Sequence, residues 1–210
     1  MRQHTAAITT RFSERTKHMT LSILTPTIPG REKQLHALQT RIEAQSSGLK
    51  ILGQVEHLVL SDNRQRSIGA KRQALVDIAR GQYIAFVDDD DDIADNYVAE
   101  LLAAAASGAD VITFLQCATY NGQVSVVNFQ LGQGDHCYEP DGTTKRDAWH
   151  VNAWRRSRVA HCQFGESNYG EDLVWCQQAR RMAETTVHIP KILHFYRHDA
   201  STTAAPEPGR

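Results

Sequence analysis

Apolar positions along the chain recur with two different periods, and the two alternate. Leu21-Ser22-Ile23-Leu24-Thr25 is a short strand, predicted to stop at Pro26 and the Pro29-Gly30 pair. Leu35, Leu38 and Ile42 then recur at helical spacing, with Glu32, Lys33, Gln39 and Arg41 on other faces, until Ser46-Ser47-Gly48. Val55 to Leu60 forms a second strand. A helix from about Ile68 to Arg80 follows, closed by Gly81. Tyr83-Ile84-Ala85-Phe86-Val87 is continuously apolar, as expected of a strand covered on both faces. Asn96–Ala106 reads as a helix and Val111–Leu115 as a strand. Beyond Asn121-Gly122 the regularity weakens. Gln123–Gln130 suits an antiparallel strand, Gly132–Asp135 a loop, Val151–Ala160 and Glu171–Ala183 helices, and Val187–Ile189 a strand.

This βαβαβαβ order predicts an α/β fold with a mostly parallel sheet flanked by helices, followed by a smaller antiparallel portion. No internal repeat or linker interrupts it. Residues 20–201 are therefore expected to form a single domain, with a disordered leader over 1–19 and a flexible tail over 202–210. Met19, just before the first strand, is an alternative start. The leader holds Arg2, Arg11, Arg15 and Lys17 against Glu14, a faint transit-like bias.

Length and composition narrow the class. The chain has 210 residues, enough for a real core. Its 23 basic and 24 acidic side chains give a net charge of −1, so strong non-specific nucleic-acid binding is not implied. No apolar run approaches the roughly 18–20 residues of a membrane span, and a cytoplasmic location is expected. Cys117, Cys137, Cys162 and Cys176 contain no CxxC pair, and are read as reduced packing residues. There is no GxxxxGK[ST], GxSxG or HExxH, and Gly132-Gln133-Gly134 lacks the third glycine of a dinucleotide fingerprint.

One feature breaks the even charge balance: Asp88-Asp89-Asp90-Asp91-Asp92, directly after the most apolar strand. Adjacent carboxylates repel, so some must face water or share a cation. In an extended segment Asp88 and Asp90 point one way, and Asp89 and Asp91 the other. Carboxylates suit Mg²⁺ or Mn²⁺, which also bind substrate phosphates. Most charge runs are solvated loops. This one lies at a strand's carboxyl end, where ligand crevices of open α/β sheets are built. A divalent ion bridging Asp-x-Asp to a diphosphate is therefore expected.

The stretch from Gly69-Ala70-Lys71-Arg72-Gln73 through Ala79-Arg80-Gly81-Gln82-Tyr83 into Asp88–Asp91 resembles the centre of family 2 glycosyltransferases, which have the GT-A fold. Leu21–Thr27 resembles that family's first strand and nucleotide-contacting turn. Gly170-Glu171-Asp172 resembles its acceptor-side Glu-Asp motif, and Tyr196-Arg197-His198 its closing segment. The four blocks run in order over residues 20–201. The resemblance implies a metal-dependent, inverting transfer of a sugar from a nucleotide diphosphate to an acceptor hydroxyl, with a UDP-sugar as the default donor. It implies Asp172 as general base; burial and the adjacent Glu171 would raise its pKa, while the helix N-terminus that the motif opens would lower it, so the two influences oppose. It implies Thr25, Pro26, Thr27, Asp62, Lys71, Arg72, Asp88 and Asp89 at the nucleotide sugar. Metal ligands would be Asp88, Asp90 and His198, with His194 as the alternative histidine, and the five-residue run leaves a one-residue register ambiguity. For Lys71, a solvated helix face is the competing reading. Ser61-Asp62-Asn63-Arg64 departs from the family's Asp-Asp-Gly-Ser loop and leaves the nucleobase open.

Trp154, Arg155 and Glu171 are expected on the acceptor side. The basic stretch Lys145–Arg158 carries Trp149 and Trp154, a composition that also suits nucleic acid. A hydroxymethylated DNA base is thus one candidate acceptor beside a glycan or a small molecule. Two rival readings stand: a nucleotidyltransferase, against which the glycine-poor Thr25–Gly30 counts, and a non-catalytic metal- or sugar-binding module.

Overall fold

A computed structural model describes residues 19–48, 53–120, 122–134 and 137–198. The expected leader (1–19) and tail (202–210) lie almost wholly outside the described residues. In chain order the elements are β1 (Leu21–Thr27), α1 (Glu32–Gly48), β2 (Val55–Ser61), α2 (Ile68–Ile78), β3 (Tyr83–Phe86), β4 (Asp92–Ile93), α3 (Tyr97–Ala105), β5 (Val111–Tyr120), β6 (Gln123–Gln130), β7 (Cys137–Tyr138), β8 (Thr143–Asp147), β9 (Ala153–Arg155), α4 (Arg156–Val159), α5 (Glu171–Met182) and β10 (Thr186–His198).

The strands join one sheet with the path β2-β1-β3-β9-β5-β6-β8-β7, and β10 lies along the other edge of β5. β2, β1 and β3 run parallel. The chain leaves β1 toward β2 on one side, then crosses back to β3 on the other. Right-handed crossovers in opposite directions place α1 and α2 on opposite faces. The two cores reflect this. One packs Leu38 and Ile42 of α1 and Tyr97, Val98 and Leu101 of α3 against the sheet. The other packs Leu75 and Val76 of α2 and Trp175 and Cys176 of α5 against the opposite face, with Phe164 stacked flat on Trp175 at 5.1 Å. The direction change falls between β1 and β3, the point where open α/β sheets leave a crevice at their carboxyl ends.

Two expectations about elements fail. The first strand does not stop at Pro26 but pairs with β2 through Thr27. Pro26 carries no N–H, and it lies past the last β1–β3 pair, Leu24 with Phe86, where β1 has become an edge on that side. The helix expected over Val151–Ala160 is instead β9 followed by a single helical turn. β9 runs antiparallel between β3 and β5, pairing Ile84 and Val111 through Trp154. Its apolar residues satisfy backbone groups of two strands at once, a long-range gain that local periodicity does not encode.

α2 begins at an N-cap Ser67, whose Oγ accepts from the Ala70 N–H at 3.1 Å. Its second residue, Gly69, makes the closest helix–loop approach. A Cβ there would sit 1.7 Å from the Gly165 carbonyl oxygen, and the Gly69 N–H donates to the Ser167 carbonyl at 3.1 Å. Only glycine lets α2 come this near the segment leading into α5. That contact sets α2 side chains beside the start of α5.

Candidate active site

At the carboxyl ends of β1 and β3 lies a cavity of about 550 Å³, lined by the 26–31 turn, by Ile68, Lys71 and Arg72 of α2, by Asp88, Asp89 and Asp90, and by Arg64, Tyr196 and Arg197. The turn after β3, closed by the Asp91 N–H donating to the Asp88 carbonyl, splits the aspartates among different partners. Asp88 Oδ2 accepts from the Arg72 guanidinium at 2.9 Å. Burial opposes its charge, but Arg72 holds the carboxyl below its ordinary range. Asp89 is buried, accepting from Thr27 Oγ1 at 2.6 Å and from Arg31 at 2.6 Å. Asp90 is partly exposed and lies 3.0 Å from the same Arg31 nitrogen. Burial and the charges of Asp88 and Asp89 push it up to about 6, against the pull of Arg31. Asp91, buried 3.4 Å from His194 Nε2, is raised well above the carboxylate range by burial and by Asp88 and Asp90. Burial holds His194 down to about 4, and its Nδ1 lies 3.0 Å from Gln116.

Behind the cavity, Arg72 joins the aspartates to α5. Its guanidinium meets Asp88 on one side and Glu171 at 3.2 Å on the other, above the Phe86 ring at 5.0 Å. The pair with Glu171 is buried, and the pair with Asp88 reaches the partly exposed cavity edge. Asp172 follows Glu171 and is anchored through three contacts. Oδ2 accepts from Trp149 Nε1 at 3.0 Å and lies 3.2 Å from His150 Nδ1, and Oδ1 accepts from the Leu173 N–H at 2.8 Å. Burial raises its pKa, but the contacts with His150, Arg72 and Trp149 outweigh that and hold it well below the usual range. Of the opposed influences expected on Asp172, the lowering side prevails: the hydrogen bonds stabilise the ionised form.

The expected residues separate into groups. Pro26, Thr27, Lys71, Arg72, Asp88, Asp89 and Asp90 line the one cavity. Thr25 and Asp62 sit behind it. The Thr25 hydroxyl donates to the Val87 carbonyl and meets His57 Nε2 at 2.9 Å. Asp62 pairs with Lys71 Nζ at 2.6 Å, and Lys71 also donates to the Thr27 carbonyl. Lys71 is thus buried, contrary to a solvated helix face. Glu171 is an ion-pair partner of Arg72 within the protein. Trp154 is corrected outright: fully buried between β3 and β5, it donates to the Trp149 carbonyl and packs edge-on to Trp175. Arg155 pairs with Tyr83 at the amino end of β3, opposite the aspartates, and its guanidinium lies beside Gly108. Neither reaches the cavity. The side chain of His198 lies outside the described residues.

Sequence reading passed over Arg31, His57, Trp149 and His150. Trp149 and His150 stood within a stretch read as a surface. Both are buried, Trp149 with the Arg146 guanidinium 3.6 Å above its ring, so neither tryptophan of that stretch offers a face for stacking on a base. Arg31 follows a Pro-Gly turn, the one signal that aimed it at the cavity.

The family resemblance implies a divalent cation, and the donor chemistry accommodates one. Asp88 Oδ1 is buried without a hydrogen-bond partner, as an oxygen awaiting a cation would be, and the partly exposed Asp90 lines the same cavity. Among the described residues no three His, Cys, Asp or Glu side chains converge. Two carboxylates with the rest of the shell from phosphate and water is the usual arrangement for Mg²⁺.

A family model, Glycosyl transferase family 2, matches residues 49–163. The putative glycosyltransferase EpsH of Bacillus subtilis (strain 168) is 24% identical over an alignment covering 63% of this chain and 42% of that protein. The chain thus spans less than half the length of this curated relative. The crystal structure of Staphylococcus aureus TarS 1-349 shares its fold, with a TM-score of 0.62 and 16% identity over 85% of this chain and 60% of that one. The same protein in complex with UDP-GlcNAc gives 0.63 and 15% over 88% and 60%. The architecture is the GT-A arrangement of these neighbours. No helix among the described residues is long and apolar enough to cross a membrane.

Proposed function

The chain belongs to glycosyl transferase family 2, and on that premise we propose that it moves a sugar from a nucleotide-diphosphate donor to an acceptor hydroxyl, with inversion at the anomeric carbon. The observation that carries this reading is the cavity at the β1/β3 crevice. Its carboxylate Asp88 is tied through one buried arginine to Glu171, next to Asp172, directly behind the cavity. A nucleotidyltransferase or a passive binding module gives no role to that link.

Pro26, Thr27 and Lys71 frame the floor for the nucleotide diphosphate. A UDP-sugar is the first donor class to consider, since TarS, of the same fold, is solved with UDP-GlcNAc. Asp88 and Asp90 would hold Mn²⁺ or Mg²⁺, which when bound offsets the charge growing on the departing diphosphate. Asp172 takes the acceptor's proton as its oxygen attacks the anomeric carbon and the bond to the diphosphate breaks. Trp149 and His150 hold the carboxylate in one orientation and ionised, so it is a placed proton acceptor whose basicity these same contacts lower. Arg72 pairs with Glu171 at 3.2 Å, fixing the helix start that presents Asp172.

The test is a panel of nucleotide sugars with Mn²⁺, reading donor consumption with and without candidate acceptors. We expect one donor class to be consumed, loss in Asp90→Ala, and about a 10²–10⁴-fold fall in turnover in Asp172→Asn with donor affinity retained. No consumption of any donor, with wild type and Asp90→Ala indistinguishable, would sink the reading.

A further inference from the structure

Arg31 occupies an unusual position among the cations of the cavity. Lys71 is buried and committed to Asp62 and the Thr27 carbonyl. Arg72 is buried and committed to Asp88 and Glu171. Arg31 stands on the β1–α1 turn, partly exposed, where one nitrogen contacts both Asp89 at 2.6 Å and Asp90 at 3.0 Å. Its two partners are not equivalent. Asp89 is buried and locked by Thr27, so it is a fixed anchor. Asp90 is partly exposed at the cavity wall.

From this geometry, and resting on the donor-site reading above, we infer that Arg31 is a resident counter-cation that occupies Asp90 while the site is empty. It gives that carboxylate up when a divalent ion arrives, and turns about Asp89 to meet the donor's diphosphate. An ion coordinated by a carboxylate sits about 2.0–2.2 Å from its oxygen. A guanidinium 3.0 Å from the same oxygen cannot stay beside it without like-charge repulsion at close range. The incoming diphosphate brings the negative charge that rewards the exchange, and the planar guanidinium matches phosphate oxygens in pairs. The turn allows the movement: Gly30 adopts φ +96°, and its N–H is fixed by Glu32 Oε1 at 2.9 Å, so the backbone stays while the side chain swings. Arg31 therefore opposes metal without donor and favours metal with donor, which couples the two binding events.

The experiment measures Mn²⁺ binding by electron paramagnetic resonance, without nucleotide, for wild type, Arg31→Gln and Arg31→Lys. UDP binding with saturating Mn²⁺ is measured by calorimetry for the same three proteins, each checked for wild-type near-ultraviolet circular dichroism. Arg31→Gln should bind Mn²⁺ alone about tenfold more tightly and UDP about tenfold more weakly, and Arg31→Lys should stay close to wild type in the first measurement. Equal or weaker Mn²⁺ binding by Arg31→Gln, or unchanged UDP binding, overturns the inference while leaving the donor site standing. A wild-type protein that binds neither Mn²⁺ nor UDP, GDP or ADP overturns the donor-site reading itself.

Discussion

Replacing Gly69 by alanine separates local preference from tertiary geometry, because the two predict opposite signs. Helix propensity alone favours alanine by up to about 1 kcal/mol. The fold opposes it. The new Cβ would lie 1.7 Å from the Gly165 carbonyl oxygen and 3.1 Å from Glu171 Cβ. A comfortable C···O contact is roughly 3.3 Å, so the helix or the loop must retreat by about 1.6 Å. That retreat costs about 1–3 kcal/mol as overpacking and about 1 kcal/mol for the Gly69–Ser167 hydrogen bond. With the propensity gain set against these costs, the net expectation is a loss of about 1–3 kcal/mol. Urea unfolding followed by tryptophan fluorescence should show the midpoint falling by about 1 M, for a slope of about 2 kcal/mol/M. The same shift lengthens the 3.2 Å Arg72–Glu171 bond that ties α2 to the start of α5, so turnover should fall about 10²-fold in the protein that remains folded. A variant at or above the wild-type midpoint refutes the close-approach argument.

Arg72→Met leaves Asp88 and Glu171 without their shared cation, and should cost about 3–5 kcal/mol by urea unfolding; a loss below about 1 kcal/mol would mean that water or a bound ion already shares the load. His57 supplies a pH signature. Burial pushes its imidazole down to about 4, against about 6.5 in the unfolded chain, so between these values the unfolded state binds more protons. The stability His57 confers is therefore present above about pH 6.5 and is lost as the pH falls toward about 4. His57→Gln should flatten that part of the stability–pH curve, which thermal melts from pH 4 to 7 will reveal; an unchanged slope assigns the titration elsewhere.

The parallel half of the sheet was legible because each of its elements carries its own signal. Leu21–Leu24 and Tyr83–Val87 are apolar runs long enough to be buried strands, and Ser67 and the Leu75 stripe mark α2. The aspartate run followed from chain order alone, since the residue after a buried strand has one place to go. What failed was non-local. β9 reads as helix until β3 and β5 are brought to either side of it, and Trp154 then becomes core instead of surface.

The sequence by itself determined where the carboxylates would gather, because βα alternation and handedness fix which strand ends share a crevice. Only the tertiary structure decided how each carboxylate is used. Which aspartate faces Arg72, Thr27, Arg31 or His194 depends on side chains 16 to 103 positions away, and their distances set each charge state through desolvation and pairing. Identical letters thus became residues of different chemistry: Asp88 held ionised, Asp90 pushed up to about 6, and Asp91 raised well above the carboxylate range by burial and its neighbours' charges. Asp172, on which burial and the helix start pull in opposite directions, is held ionised by Trp149 and His150, two residues whose approach no local pattern announced.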